Sequence, residues 1–147
     1  MPLKVRDIMS HTAPRIPSSC TIQEAAEEVA ITQCSDLVVV DEENNFLGVL
    51  SEGDLIRNTM PDVSDVVSGD SLSNAYELFV EAGKANANKS FMDLIIKSPI
   101  TAHPDDEVLR IASVMISRQI RRIPVIEHGK VVGSVSRADI CRKVMAG

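Results

Sequence analysis

The residues best suited to chemistry stand near the end of the chain, in Ser136-Arg137-Ala138-Asp139, a short distance after Arg121-Arg122. A serine that opens a helix offers its hydroxyl and the free N–H groups of the first turn to an anion, and the helix dipole adds to the attraction. Arg137 contributes a planar fork of donors suited to phosphate. Asp139, when ionised, only accepts, so one carboxylate can hold two neighbouring hydroxyls. Arg121 and Arg122 stand where a strand begins, and alternation sends one of them to each face. The same residues also have a purely structural meaning. Ser136 and Asp139 have the spacing of a capping box, and Arg118, Arg121 and Arg122 equally suit a solvated helix end and strand edge. His103 fits an exposed loop better than a ligand contact.

These residues belong to a pattern written twice. Asp7-Ile8-Met9 returns as Asp93-Leu94-Ile95, and Ile22 returns as Val108, both at a shift of 86. Gly48-Val49-Leu50-Ser51-Glu52-Gly53-Asp54-Leu55 returns as Gly133-Ser134-Val135-Ser136-Arg137-Ala138-Asp139-Ile140 at a shift of 85, so the register slips once before the glycine. Two copies imply a pseudo-twofold module, and any cleft between them is then made twice. Each copy opens with a short apolar turn, at Val5 to Met9 and at Phe91 to Ile95, where Ser90 and Asp93 are a candidate capping pair. An extended, proline-bearing stretch follows. Next comes an amphipathic helix: Thr21 and Glu24 have capping-box spacing, and Ile22, Ala25, Ala26, Val29 and Ala30 match Val108, Ile111, Ala112, Met115 and Ile116. Two short strands then form a hairpin in each copy, Leu37–Val40 with Phe46–Leu50 and Ile123–Ile126 with Val131–Val135. A last helix opens at Ser51 and at Ser136.

The expected organisation is a first repeat over 1–57, an insert and linker over 58–90, and a second repeat over 91–147. In the insert, Met60-Pro61-Asp62 breaks the chain. Leu72, Ala75, Tyr76, Phe79 and Val80 form a helical stripe that Ser71 could cap and Gly83 could end, and Ala85 to Lys89 reads as linker.

Apolar residues make up 44% of the 147, but aromatics only 3%, so the core must be aliphatic. No apolar run approaches the roughly 20 residues of a membrane span, and the N-terminus has no signal-peptide pattern, which points to a cytoplasmic protein. Cys20, Cys34 and Cys141 lie at no metal-ligand spacing and are odd in number, so neither zinc nor a disulfide framework is expected. The net charge of −6 is uneven: residues 1–56 carry three Lys/Arg against ten Asp/Glu, and residues 91–147 carry nine against six. An acidic chain without a basic stripe argues against nucleic acid. The second half can still hold a compact anion. No catalytic triad, Cys/His pair, P-loop or metal cluster is legible, which argues against an enzyme and against a catalytic cofactor.

The repeat, with Arg121-Arg122-Ile123-Pro124-Val125-Ile126 and Gly133-Ser134-Val135-Ser136-Arg137-Ala138-Asp139, resembles a tandem pair of cystathionine-β-synthase (CBS) domains, a Bateman module. The first copy departs from the family pattern, with Val38 in place of the usual proline and Ser35-Asp36 in place of the arginine pair. The resemblance implies an α/β (α+β) fold of two pseudo-twofold-related repeats, each a small sheet flanked by helices, with two clefts between them. It further implies a regulatory module that takes an adenosine-containing ligand, AMP, ADP, ATP or S-adenosylmethionine, and that pairs into a homodimer. In the second-copy cleft, Ile100, Thr101 and Ala102 would line the base and ribose side and Ile123 and Pro124 the other face. Asp139 would take the ribose, and Ser136, Arg137, Arg121 and Arg122 the phosphate. A weaker first-copy site would use Arg15, Ile16, Val38, Ser51 and Asp54, but Glu52 replaces Arg137 there and the surrounding acidity would repel a triphosphate. With no effector domain legible in the chain, the expected output is in trans, to an effector protein, with the insert helix as reporter. The alternative is a structural or dimerisation module that binds no ligand.

Overall fold

A computed structural model describes residues 2–60 and 72–146, with only the backbone of 72–74. In chain order the elements are α1 (Val5–Ile8), β1 (Arg15–Pro17), α2 (Ile22–Thr32), β2 (Asp36–Val40), β3 (Phe46–Ser51), α3 (Glu52–Arg57), α4 (Leu72–Asn86), a 3₁₀ turn at Met92–Leu94, α5 (Val108–Arg118), β4 (Arg122–Glu127), β5 (Lys130–Ser136) and α6 (Arg137–Ile140), which continues as a π-helical turn over Cys141–Met145. The fold is mixed α/β in two repeats. Ser71 and Pro61-Asp62 lie outside the described residues.

Local chemistry sets the boundaries. Thr21 Oγ1 accepts from the Glu24 N–H at 3.2 Å while Glu24 Oε1 accepts from the Thr21 N–H at 3.1 Å, so α2 opens on a reciprocal capping box. Gln33 and Gln119 end α2 and α5 in the left-handed region, at φ 57° and 56°. The β4–β5 hairpin turns on His128 and Gly129, both at positive φ, the requirement of a two-residue I′ turn. The buried stripe is narrower than the repeat suggests. Val108, Ile111 and Met115 are buried, but Ile116 is 70% exposed, and Ala26 and Ala30 are also exposed. Gly83 does not end α4, which runs on to Asn86 and takes in part of the expected linker; a glycine inside a helix costs only about 1 kcal/mol. Ser90 caps the 3₁₀ turn through the Met92 N–H at 3.1 Å rather than through Asp93.

In the first sheet β1 pairs parallel with β2, and β2 antiparallel with β3. The second sheet pairs β4 with β5, and the equivalent of β1 shrinks to one parallel bridge between Ala102 and Val125. Each repeat has its own core, and the opening turns are exchanged between them. Val5 and Ile8 pack with Val108, Ile111, Met115, Ile123, Val125 and Val135 of the second repeat. Phe91, fully buried, packs with Ile16, Ile22, Leu37, Val39 and Leu50 of the first. Backbone pairs lock the exchange in matching places: Ser10 with Ser134, both ways at 2.9 Å, and Ile96 with Val49 at 2.8 and 3.0 Å. Gly133 faces the Ser10 carbonyl, and Gly48 the Ile96 carbonyl, so closely that a Cβ at either would collide with backbone. A third cluster, Ala13, Val38, Val40 and Val131, joins the two sheets. No helix among the described residues is long and apolar enough to cross a membrane.

Candidate functional site

Two clefts among the described residues follow the pseudo-twofold. In the larger, of about 410 Å³, the α2–β2 loop from Gln33 to Asp36 faces Arg121, Arg122, Ser136 and Arg137. In its mate, of about 380 Å³, the α5–β4 loop from Gln119 to Arg121 faces Ser35, Asp36 and Glu52. Both volumes fall within the roughly 300–1,000 Å³ of small-molecule sites. The repeat shift relates the two linings: Gln33 to Gln119, Ser35-Asp36 to Arg121-Arg122, and Glu52 to Arg137. The substitutions therefore invert the charge. Arg121, Arg122 and Arg137 outweigh Asp36 in the larger cleft, and Asp36 and Glu52 outweigh Arg121 in the smaller.

The arginines have different freedom. Arg137 Nε and Nη2 donate to the carbonyls of Ile120 at 2.9 Å and Met115 at 3.0 Å. Its guanidinium therefore caps the C-terminal end of α5 rather than pointing at a free anion. Arg122 Nη1 donates to Ser134 Oγ at 2.7 Å, and Ser134, fully buried, donates on to the Thr12 carbonyl at 3.3 Å. That leaves most of the Arg122 fork uncommitted. The Arg121 side chain is exposed and lines both clefts, and its carbonyl accepts the Arg137 N–H at 3.0 Å.

Ser136 and Asp139 form the capping box in full: Asp139 N–H to Ser136 Oγ at 3.1 Å, and Ser136 N–H to Asp139 Oδ2 at 2.9 Å. Asp139 is buried, and its other oxygen accepts from Arg142 at 3.3 Å. In the first repeat, Ser51 Oγ donates to Asp54 Oδ2 at 2.8 Å and Arg57 pairs with the same carboxylate. Burial alone would raise the Asp54 carboxyl, but the Ser51 and Arg57 hydrogen bonds together hold it below the usual range.

Other candidates lie elsewhere. Ile123 and Ala102 are buried in the core of the second repeat, because strand alternation turns Ile123 and Val125 toward the helices and Pro124 the other way. Ile100 and Thr101 are exposed beside β4, where the Pro124 carbonyl accepts the Ala102 N–H at 2.9 Å. None of Ile100, Thr101, Ala102, Ile123, Pro124 or Asp139 lines the larger cleft. Arg15 donates to Asn44 Oδ1 at 2.6 Å in the hairpin turn, and Ile16 and Val38 are core residues.

Sequence reasoning passed over the loop residues Gln33 to Asp36 as site residues. Their signal was available: Gln33 and Gln119 recur at the repeat shift. Ser35 and Asp36 both line the two clefts, and Asp36 brings the charge. Its carboxyl is pushed up, first by burial and further by Glu52 and Asp54, against a lowering hydrogen bond from Ser35.

Comparison with known proteins follows the same division. The CBS domain family model matches residues 5–60 and 92–146. An uncharacterized protein of Methanocaldococcus jannaschii, MJ1225, is 23% identical over 94% of the chain. The chain spans less than half the length of the first curated relatives it matches, 41% and 22%. The crystal structure of CBSX2 in complex with AMP, from Arabidopsis thaliana, superposes at TM-score 0.70 with 22% identity, over 97% of this chain and 96% of that one. At that identity the likeness is one of fold. The CBS domain pair of protein MJ0100, in complex with 5′-methylthioadenosine and S-adenosyl-L-methionine, superposes at 0.65 with 25% identity, over 95% of this chain and 97% of that one.

Proposed function

The chain belongs to the CBS domain family, and on that premise we propose that it is a regulatory module binding an adenosine-containing ligand between its repeats. The observation that carries this reading is the inverted charge of the two clefts: to the Arg121 and Asp36 that line both, one adds Arg122 and Arg137 and the other Glu52. A phosphorylated adenosine, AMP, ADP or ATP, fits the first, with S-adenosylmethionine, whose tail carries a sulfonium and a zwitterionic amino acid in place of phosphate, as the alternative. The AMP of CBSX2 and the S-adenosyl-L-methionine of the MJ0100 pair support that ligand class.

In this reading Arg121 and Arg122 meet phosphate and Ser136 lies at the cleft wall, and a ligand that extends beyond the cleft's own lining reaches Asp139 with its ribose and Thr101 and Pro124 with its base. Arg137 shapes the cleft by holding the end of α5. Charged hydrogen bonds contribute about 1.5–3 kcal/mol each, so two or three with base burial reach the roughly 8 kcal/mol of micromolar affinity after ordering costs. The smaller cleft stays empty of polyphosphate. The ligand state is read in trans by an effector protein in the cytoplasm, from a homodimer whose protomers comprise repeats 1–57 and 91–147 around the 58–90 insert. The module itself carries out no catalysis.

A second reading, a structural module without ligand, draws on a specific observation. Ser136, Asp139 and Arg137 are already satisfied by one another and by helix carbonyls. Thermal unfolding with AMP, ADP, ATP and S-adenosylmethionine separates the two. A ligand at about 100 times its dissociation constant stabilises by roughly 2.7 kcal/mol, several degrees for a chain of this size. A shift cut to roughly half or less in Arg122→Gln, as an about tenfold weaker affinity at the same concentration gives, is the expected result. No shift with any of them favours the structural module.

A further inference from the structure

Ser134 puts a hydroxyl where the other repeat has valine. The shift of 85 relates it to Val49, and both positions are buried, Ser134 at 0% and Val49 at 9% exposure. A buried hydroxyl costs free energy unless it is hydrogen-bonded, whereas valine has nothing to satisfy. Ser134 Oγ is satisfied on both sides: it accepts from Arg122 Nη1 at 2.7 Å and donates to the Thr12 carbonyl at 3.3 Å. Arg122 corresponds in turn to Asp36, at the shift of 86. The repeat that carries the arginine therefore carries the hydroxyl, and the repeat that carries the aspartate carries valine. Strand pairing shows why the two side chains meet. Arg122 stands opposite Ser136 and Pro124 opposite Ser134, so Arg122 and Ser134 are diagonal neighbours on one face of the hairpin, within reach of a long side chain. Ser134 is held in turn by the crossed opening segment, its N–H and carbonyl by Ser10 and its hydroxyl by Thr12.

We infer that Ser134 is a positioning residue for the anionic end of the ligand: its hydroxyl holds one nitrogen of Arg122 so that the rest of the guanidinium faces the larger cleft. The inference rests on the adenosine-phosphate reading of that cleft. Guanidinium is a rigid fork of donors, so a bond at one nitrogen restricts where the others point. Arg122 accordingly lines the larger cleft and not the smaller. Arg121 is the contrast. Its side chain is exposed, lines both clefts and makes no hydrogen bond among the described residues. A ligand must order Arg121 as it binds, whereas Arg122 is ordered beforehand. Ordering one long side chain on binding costs affinity, and a latch made in advance removes that cost, about three- to tenfold in dissociation constant.

Calorimetric titration of the full chain with AMP, ATP and adenosine tests this, beside NMR relaxation of the Arg122 Nε–H group in the absence of ligand. The variants are Ser134→Ala, Ser134→Thr, Ser134→Val, Arg122→Gln and the double variant S134A/R122Q. Thr and Val share a shape, so a difference between them reports the hydroxyl alone, and Ala remains readable if the branched residues do not fit. Ser134→Ala and Ser134→Val are expected to loosen the Arg122 Nε–H group and to weaken AMP and ATP about three- to tenfold. Adenosine, which has no phosphate, is unchanged, and Thr binds AMP more tightly than Val. In the Arg122→Gln background Ser134→Ala costs nothing further, because the group it positions is gone. A serine that only supports the fold would weaken adenosine as much as AMP, or cost the same with and without Arg122, and either result overturns the inference. So does equal affinity in folded Thr and Val variants, or an Arg122 Nε–H group as ordered in Ser134→Ala as in wild type. Wild type that takes none of the ligands overturns the adenosine reading instead, and the relaxation then judges the latch by itself: loosening in Ser134→Ala upholds it, and no change overturns it.

Discussion

At the scale of single residues, the arginines of the larger cleft have separate jobs. Arg137 ties together the end of α5 through two carbonyls, so Arg137→Ala should lower stability by about 1–3 kcal/mol, measured by urea unfolding with and without nucleotide. Arg122 keeps free donors, so Arg122→Gln should weaken nucleotide binding about tenfold or more, on the scale of one charged hydrogen bond, while the Gln amide can still reach Ser134. Asp36 supplies a pH signature. Its folded carboxyl sits above its ordinary value, so the native state holds the proton more tightly than the unfolded chain. Its contribution to stability is therefore unfavourable at neutral pH, and the penalty disappears as the pH falls below the ordinary aspartate range near 3.8. Asp36→Asn should melt above wild type at pH 7, and the two curves should converge toward pH 3. A difference that persists at low pH would mean that Asp36 acts through something other than its charge.

At the scale of elements, the repeat pattern and the caps were legible because each follows from local chemistry. Thr21 with Glu24 and Ser136 with Asp139 cap where their spacing indicated, and Ser51 caps the helix expected to open at it. The glycines were less transparent. Gly48 and Gly133 were recognisable as repeat markers, but their reason is tertiary: each admits the backbone of the other repeat's opening turn. Gly133→Ala should cost about 1–3 kcal/mol, as overpacking against unyielding backbone does, whereas Gly83→Ala on the open side of α4 should stabilise that helix by about 1 kcal/mol; thermal unfolding of both variants checks the contrast. The charge inversion between the clefts was also legible, from Arg137 against Glu52. The site's walls were not. Ile123 reads as a cleft residue until strand pairing shows which face it takes, and Asp36, visible in sequence as the counterpart of Arg122, gains its place in both clefts only where its loop meets the other repeat.

At the scale of the whole molecule, the exchanged opening turns make the repeats one cooperative body. The second repeat's core includes Val5 and Ile8, and the first repeat's core includes Phe91. Phe91→Ala should cost about 3–5 kcal/mol although it stands outside the first repeat in sequence. Removal of residues 1–10 should unfold the second repeat, seen as loss of its amide protection in hydrogen exchange. A ligand between the repeats is then well placed to bias the whole module, since the strands and helices that bound the cleft share their cores with the crossed turns. The most direct test of that account is a calorimetric titration of the full chain with AMP, ATP and S-adenosylmethionine, repeated with Arg122→Gln. One site per chain for at least one of these ligands, weakened by the substitution, is the expected result. Two equal sites per chain would contradict the charge asymmetry of the clefts, and no heat with any ligand would contradict the assignment of an adenosine site altogether.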